Sequence, residues 1–152
     1  MGGICKRLSP DCILLNLQET GKEAVIRRLV ESLGGVHAIA DVQAVVNDVM
    51  EREKLASTCV GLGCAVPHAH SEALETTMLA AATLNPPVDM DAPDGEPVSL
   101  VFLIAGSKNG AGLHLRLLSK LARLLHNEEF REELRQAAGP KDFYDSVCRR
   151  DD

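Results

Sequence analysis

Apolar residues recur at helical spacing in the first third of the chain and in short bursts through its middle, and this change of period predicts the elements. Ile13, Leu14 and Leu15 follow the turn signal Ser9-Pro10-Asp11 and predict a strand from Cys12 to Leu17. Val25, Ile26, Leu29, Val30 and Leu33 form one stripe, so a helix is expected from about Lys22 to Leu33, with Gly34-Gly35 as its stop. Ile39, Val42, Val45, Val46, Val49 and Met50 form a second stripe, over a helix from about Ile39 to Glu53.

From Thr58 to His70 the apolar pieces are cut by glycine, which predicts bent extended structure. Thr77 to Leu84 reads as a strand stopped by Pro86-Pro87, and the acidic, proline-containing segment Val88 to Pro97 as a solvated turn region. Val98 to Ala105 is a nearly continuous apolar run, the pattern of a central strand covered on both faces. The polar loop Gly106 to Gly112 leads into Leu113, Leu117, Leu118, Leu121, Leu124 and Leu125, a helix expected to end near His126. Asn127 is placed to cap a further helix, and Pro140 to open a last one through Val147. Arg149 to Asp152 reads as a frayed tail. There is no internal repeat or low-complexity linker, so the expectation is a single α/β domain over residues 1–152, with its core at about 8–147. Its sheet is small and mixed, flanked by helices on both faces.

A chain of 152 residues has room for one hydrophobic core, which agrees with that architecture. Charge then narrows the function. Sixteen Lys plus Arg against twenty-two Asp plus Glu give a net charge of −6, which argues against nucleic acid as a partner. No apolar run approaches the roughly 18 residues that span a bilayer, so no membrane insertion is expected. Nor does an apolar stretch follow the basic start Met1 to Arg7, so the reading is no secretory signal and a cytoplasmic protein. The five cysteines, at 5, 12, 59, 64 and 148, are odd in number and lack any CxxC pair, so they read as reduced thiols.

There is no GxxxxGK[ST] loop, no GxGxxG opening a helix and no HExxH, which leaves no obvious means of holding ATP, a dinucleotide or a protease-type zinc. Three features carry other chemistry. The first is Pro67-His68-Ala69-His70: proline has no N–H to give a sheet, so the segment should leave the sheet there with His68 at its edge. A neutral imidazole at an edge can accept a group from a partner protein, although an isolated surface histidine has the same pattern. The second is His114, which opens the leucine helix on its apolar face; it suits either a satisfied core histidine or a ligand to an anion held near Gly110 to Gly112. The third is Glu51 to Thr58, where Arg52 can offer a bidentate fork and Ser57 or Thr58 a hydroxyl, against the alternative of a solvated helix end. Cys59, Cys64, His68 and His70 are also four zinc-competent side chains, but Pro67 breaks the strand regularity and Cys59 has the opposite parity, so no metal is expected.

Taken together, two stretches resemble the fructose/mannitol-type enzyme IIA domain of the phosphoenolpyruvate-dependent phosphotransferase system. They are Arg52-Glu53-x3-Ser57-Thr58-x2-Gly61-x-Gly63-x-Ala65-Val66-Pro67-His68 and His114-Leu115-x-Leu117-Leu118-x2-Leu121-Ala122-x-Leu124-Leu125. The similarity runs from Leu8 to about Val147, and Pro87 to Val98 looks most like the nitrogen-regulatory branch, a free-standing relative. The resemblance implies the enzyme IIA fold, with His68 as phosphoacceptor, His114 as second histidine and Arg52 as the cation beside the phosphoryl group. Ser57, Thr58 and His70 are expected at the binding surface. It further implies an HPr-like phosphocarrier protein as donor, a IIB domain or regulatory targets as acceptors, and no cofactor. Three positions depart from the family pattern: Cys59 and Leu62 replace a common glycine and asparagine, and His70 stands where an arginine, lysine or small residue is usual. A sugar-transport role, or an interaction domain that has lost transfer, are the alternatives.

Overall fold

The structure, a computed structural model, describes residues 3–151. In chain order its elements are β1 (Leu8–Leu17), α1 (Lys22–Val36), α2 (Val42–Leu55), β2 (Cys59–Gly61), β3 (Cys64–Ala65), β4 (His68–Ser71) and β5 (Met78–Val88). β6 (Val98–Ser107), α3 (Ala111–Leu125), α4 (Glu128–Arg135) and α5 (Pro140–Arg150) complete the fold.

Val98 to Ser107 is the central strand. On one side β6 pairs antiparallel with β5, which in turn pairs parallel with β1; on the other it pairs parallel with β3 and, further along, with β4. β2 closes the far edge antiparallel to β3. From Leu100 to Ala105, alternation along β6 divides its side chains between two cores, Val98 lying beyond a register irregularity. Val98, Val101, Leu103 and Ala105 pack with Val25, Ile26, Leu29, Val45 and Val49 of α1 and α2. Leu100, Phe102 and Ile104 pack with Leu117, Leu121, Phe130, Phe143 and Val147 of the C-terminal helices. Both faces are therefore covered, as the apolar run predicts; each fully buried Leu, Ile or Phe contributes about 1.5–3 kcal/mol.

Several boundaries differ from expectation for local reasons. β1 starts at Leu8, ahead of Cys12, because the ladder with β5 accommodates Pro10 at a register irregularity between Leu8 and Ile13. β5 likewise continues past Pro86-Pro87 to Val88, which pairs with Val98 across another irregularity. In the turn region that follows, Met90 is buried, so this segment is not solvated throughout. α1 runs through Gly34-Gly35 to Val36: a side chain at Gly34 would come within 3.1 Å of Val42 Cγ2, so this glycine serves helix packing and does not stop the helix. α2 begins at Val42, after Ile39, because the Asp41 side chain caps it by accepting from Ala44 N at 3.1 Å. Asn127 caps α4 as expected, accepting from Phe130 N at 3.0 Å.

The chain ends overturn two expectations. Cys5 and Cys148 form a disulfide, so they are not reduced thiols; only Cys12, Cys59 and Cys64 are free. Nor are residues 149–151 frayed, since α5 continues to Arg150 and the buried Asp151 carboxylate accepts from Cys5 N at 2.8 Å and Gly3 N at 3.3 Å. Lys120 of α3 pairs with that carboxylate at 2.6 Å, and Tyr144 OH donates to the Cys5 carbonyl at 3.1 Å. Burial alone would raise the Asp151 carboxyl, but the Cys5 N–H and the Lys120 ammonium outweigh it and hold the group below the usual range. Ile4 is fully buried in the second core, so the core begins before residue 8. The part of the tail that is Asp152 lies outside the described residues.

The disulfide closes a loop across a sequence separation of 143. Removing such a cross-link typically costs about 2–4 kcal/mol. Reduction or Cys148→Ser should lower the unfolding free energy by that amount in urea titration, and the denatured, unreduced chain should titrate three thiols; five thiols and an unchanged midpoint would show the bridge absent.

Candidate functional site

Strand β4 organises the site. Its burial alternates, with His68 and His70 half-exposed while Ala69 and Ser71 are buried, so both imidazoles rise from the same face of the sheet. The segment does not leave the sheet at Pro67, as expected from the missing N–H. The Pro67 carbonyl accepts from Ile104 N at 3.0 Å, and the chain then pairs with β6, placing His68 opposite Ile104 and His70 opposite Gly106. His68 does lie on an edge strand, since β4 pairs only with β6 among the described residues.

The third imidazole enters from α3. His114 occupies the first turn, its own N–H bonded to the Gly110 carbonyl at 2.9 Å, and its ring lies 5.3 Å from that of His68 and 4.1 Å from that of His70. Gly106 makes this approach possible. A Cβ there would sit 2.6 Å from His114 Nδ1, closer than a real side chain approaches, and 3.2 Å from His70 Nδ1, a crowded contact.

Helix α2 supplies the opposite wall. Asp48, Glu51, Arg52 and Leu55 fall at i, i+3, i+4 and i+7, and they face His68, Ala69, His70 and His114 across a cavity of about 480 Å³. Arg52 is the permanent cation among these lining residues, with Nη1 donating to the Ala56 carbonyl at 3.2 Å. Sequence reasoning found Arg52 and the three histidines but missed Asp48, Glu51, Leu55 and Gly106. The helical spacing of the first three from Arg52 was the available signal. The loop Gly110 to Gly112, expected to hold an anion with His114, is not among the lining residues.

Ser57 and Thr58 face elsewhere. They line a smaller hollow of about 200 Å³ with Cys59, Val60, Val66, Leu118 and Ala122, which meets the main cavity only at His68. The Thr58 hydroxyl donates to the buried Glu53, itself paired with Lys22 at 3.0 Å, and Ser57 Oγ accepts from Cys59 N at 3.2 Å. Cys59 Sγ points to the Met90 carbonyl, and Cys64 is buried in the second core. Cysteines and histidines diverge, and no group of three His, Cys, Asp or Glu side chains converges on a metal-sized position among the described residues. Burial raises the thiol pKa of Cys59, and that of Cys64 to about 11, so both are poor nucleophiles.

Hydrogen bonding sets the tautomers. His68 Nδ1 lies 2.8 Å from the Val66 carbonyl, which can only accept, so Nδ1 carries the proton and Nε2 keeps its lone pair. Burial, with the Arg52 charge, lowers the pKa of His68 against the opposing pull of the Val66 carbonyl. His114 is only 4% exposed and neither ring nitrogen has a hydrogen-bond partner among the described residues. Burial first, then the neighbouring imidazoles, bring its pKa to about 4. A buried ring with two unmet polar atoms is costly, by about 1–3 kcal/mol for each such group, and suits a site completed by a ligand.

The mixed sheet between two helical layers is the fold of phosphotransferase IIA proteins. The nitrogen regulatory protein IIA-Ntr from Neisseria meningitidis superposes with a TM-score of 0.88 at 29% identity, covering 94% of this chain and 97% of that one. The nitrogen regulatory protein of Bradyrhizobium diazoefficiens is 31% identical over 137 residues, covering 90% of this chain and 89% of the relative. The fructose-specific EIIABC component of Bacillus subtilis is 33% identical over 148 residues, 97% of this chain but only 23% of that longer protein. The family model for the phosphoenolpyruvate-dependent sugar phosphotransferase system EIIA 2 matches residues 6–148, and the chain belongs to that family.

The depressed His114 pKa has a stability consequence. Between about pH 4 and the ordinary imidazole value near 6.5, the unfolded chain binds a proton at His114 that the folded chain does not, so stability falls as pH drops through this window. Urea midpoints should decline from pH 7 to pH 4.5, and the decline should be shallower in His114→Gln; equal slopes would place the acid sensitivity elsewhere.

Proposed function

We propose that this protein is a histidine phosphocarrier of the nitrogen-regulatory enzyme IIA type, accepting a phosphoryl group on His68 Nε2 from an HPr-like phosphocarrier protein. The observation that carries this reading is the Val66 carbonyl at 2.8 Å from His68 Nδ1, which leaves Nε2 as the nucleophile beside Arg52 and His114. In the transfer, the P–N bond of the donor phosphohistidine breaks as the His68 Nε2–P bond forms, and the donor imidazole recovers its electron pair. Such a loose transition state calls mainly for positioning and for stabilising charge on the phosphoryl oxygens. Arg52 supplies a cation, and His114, with both nitrogens unpaired, an N–H donor. Neither ATP nor a metal enters these steps.

The nitrogen-regulatory reading is supported by relatives of nearly the same length that are nitrogen regulatory proteins. Output then follows from the change in charge: a phosphoryl group adds close to two negative charges, enough to alter which target proteins dock. The second reading, transfer onward to a IIB domain in sugar transport, is favoured by the 33% identity to the fructose-specific component. No helix among the described residues is long and apolar enough to cross a membrane, and the reading places the protein in the cytoplasm with its donor. There the Cys5–Cys148 bridge faces a reducing thiol pool, so its occupancy in cells depends on protection by the packed chain ends.

Incubation with phosphoenolpyruvate, enzyme I and an HPr-type carrier should add one acid-labile increment of about 80 Da, the mass of one phosphoryl group. The increment should vanish in His68→Ala, and transfer should slow by about 10–100-fold in His114→Ala or Arg52→Ala without loss of fold. An increment that survives His68→Ala would reject the assignment. Adding a purified IIB domain separates the two readings, since rapid loss of label to its cysteine supports transport.

A further inference from the structure

The His70 imidazole lines the cavity but has no part in the transfer just described. This inference rests on His68 as acceptor and concerns what His70 does once the phosphoryl group is in place. The two residues are neighbours on one face of β4, about 6.6 Å apart along the strand. His70 Nδ1 lies 3.0 Å from the Ser107 carbonyl, which can only accept, so Nδ1 is protonated and Nε2 is the atom left to gain or lose a proton. The His114 ring touches both, tilted against His70 and edge-on to His68, and β6 leaves room for them by carrying no side chain at Gly106.

Charge around the cavity is unbalanced for a phosphoryl group. From α2 come Asp48, Glu51 and Arg52, one fixed positive against two negative charges, with Glu51 also paired to Lys54 at 2.8 Å. From α3 comes His114, almost wholly buried and held neutral; from β4 comes His68, which carries the group. Beyond Ser107, a separate hollow is lined by Glu72, Glu75 and Lys108, two negative charges against one positive. A phosphoryl group brings nearly two further negative charges into this space. His70 is the remaining imidazole, half-exposed and within reach of water.

We propose that His70 is a positioning cation of the phosphorylated state: its Nε2 takes a proton from solvent as His68 is phosphorylated, attracts the phosphoryl oxygens, and returns the proton when the group leaves. The balance is one proton taken up for each phosphoryl group received, with no other bond made or broken at His70. The phosphoryl-transfer equilibrium of this protein is consequently pH-dependent through residue 70.

The test compares the wild-type chain with His70→Asn, whose amide N–H can still reach the Ser107 carbonyl, and with His70→Lys, a permanent cation. Each is equilibrated with a phosphorylated HPr-type carrier from pH 6 to pH 8.5, and the phosphorylated fraction is read by intact mass under non-acidic conditions. The donor is common, so the ratio of equilibrium constants isolates residue 70. The expected ratio of wild type to His70→Asn is about tenfold at pH 6, as for gain of a charge-assisted contact, falling towards one by pH 8.5. The ratio of His70→Lys to His70→Asn should stay raised throughout. A flat wild-type ratio, or a lysine variant that follows asparagine, overturns the proposal. The ring ¹⁵N signals of wild-type His70 provide a check that needs no variant: they should move to the imidazolium range on phosphorylation at pH 7, and unmoved signals overturn it as well. Absence of label on His68 rejects the phosphocarrier reading and this inference with it, whereas a labelled His68 with a flat ratio rejects this inference alone.

Discussion

The parallel pairing of His68–Ser71 with Ile104–Ser107 sets where chemistry can occur in this molecule. It aligns two histidines on one face of a strand, and it puts a glycine of the central strand beneath them. α3 then delivers His114 into the space that glycine leaves open, and α2 closes the opposite side with Arg52. None of these positions is adjustable alone. β6 is buried on both faces, so a one-residue slip against β4 would turn its apolar set toward the wrong core and carry His68 away from the cavity.

Burial acts differently on the three imidazoles. His114 loses nearly all its water and gains no hydrogen bond among the described residues, which keeps it neutral; His68 is tied to the Val66 carbonyl, which leaves the lone pair on Nε2. Only with an anion in the cavity do the unmet nitrogens of His114 acquire a partner of suitable chemistry. The free protein thus carries the cost of two unmet polar atoms in this cavity. Against the net charge of −6, Arg52 is the one permanent cation lining this cavity, beside Asp48 and Glu51.

Periodicity revealed the helices and the buried strand β6, because amphipathic stripes and continuous apolar runs are direct records of packing. It failed where tertiary contacts override local rules. Gly34-Gly35 reads as a stop, yet Gly34 lets α1 and α2 approach, and Pro86-Pro87 does not end β5 because the ladder tolerates an irregularity there. Asp151 reads as tail because its partners, the N–H groups of Gly3 and Cys5 and the Lys120 ammonium, are remote in sequence. The Cys5–Cys148 pair was hidden for the same reason. At the site, the histidines and Arg52 were legible from motif spacing. The diversion of Thr58 to Glu53 was not, since a buried Lys22–Glu53 pair has no signature along the chain.

Gly106 carries a consequence for how such a site can change over generations. Because any side chain at 106 collides with the ring at 114 and crowds the ring at 70, a lineage that acquires one there must first shrink or redirect the His114 ring. The dependence runs one way: a smaller side chain at 70 or 114 leaves Gly106 undisturbed, whereas a side chain at 106 needs the His114 ring moved first, so change at 106 can only follow change at 114.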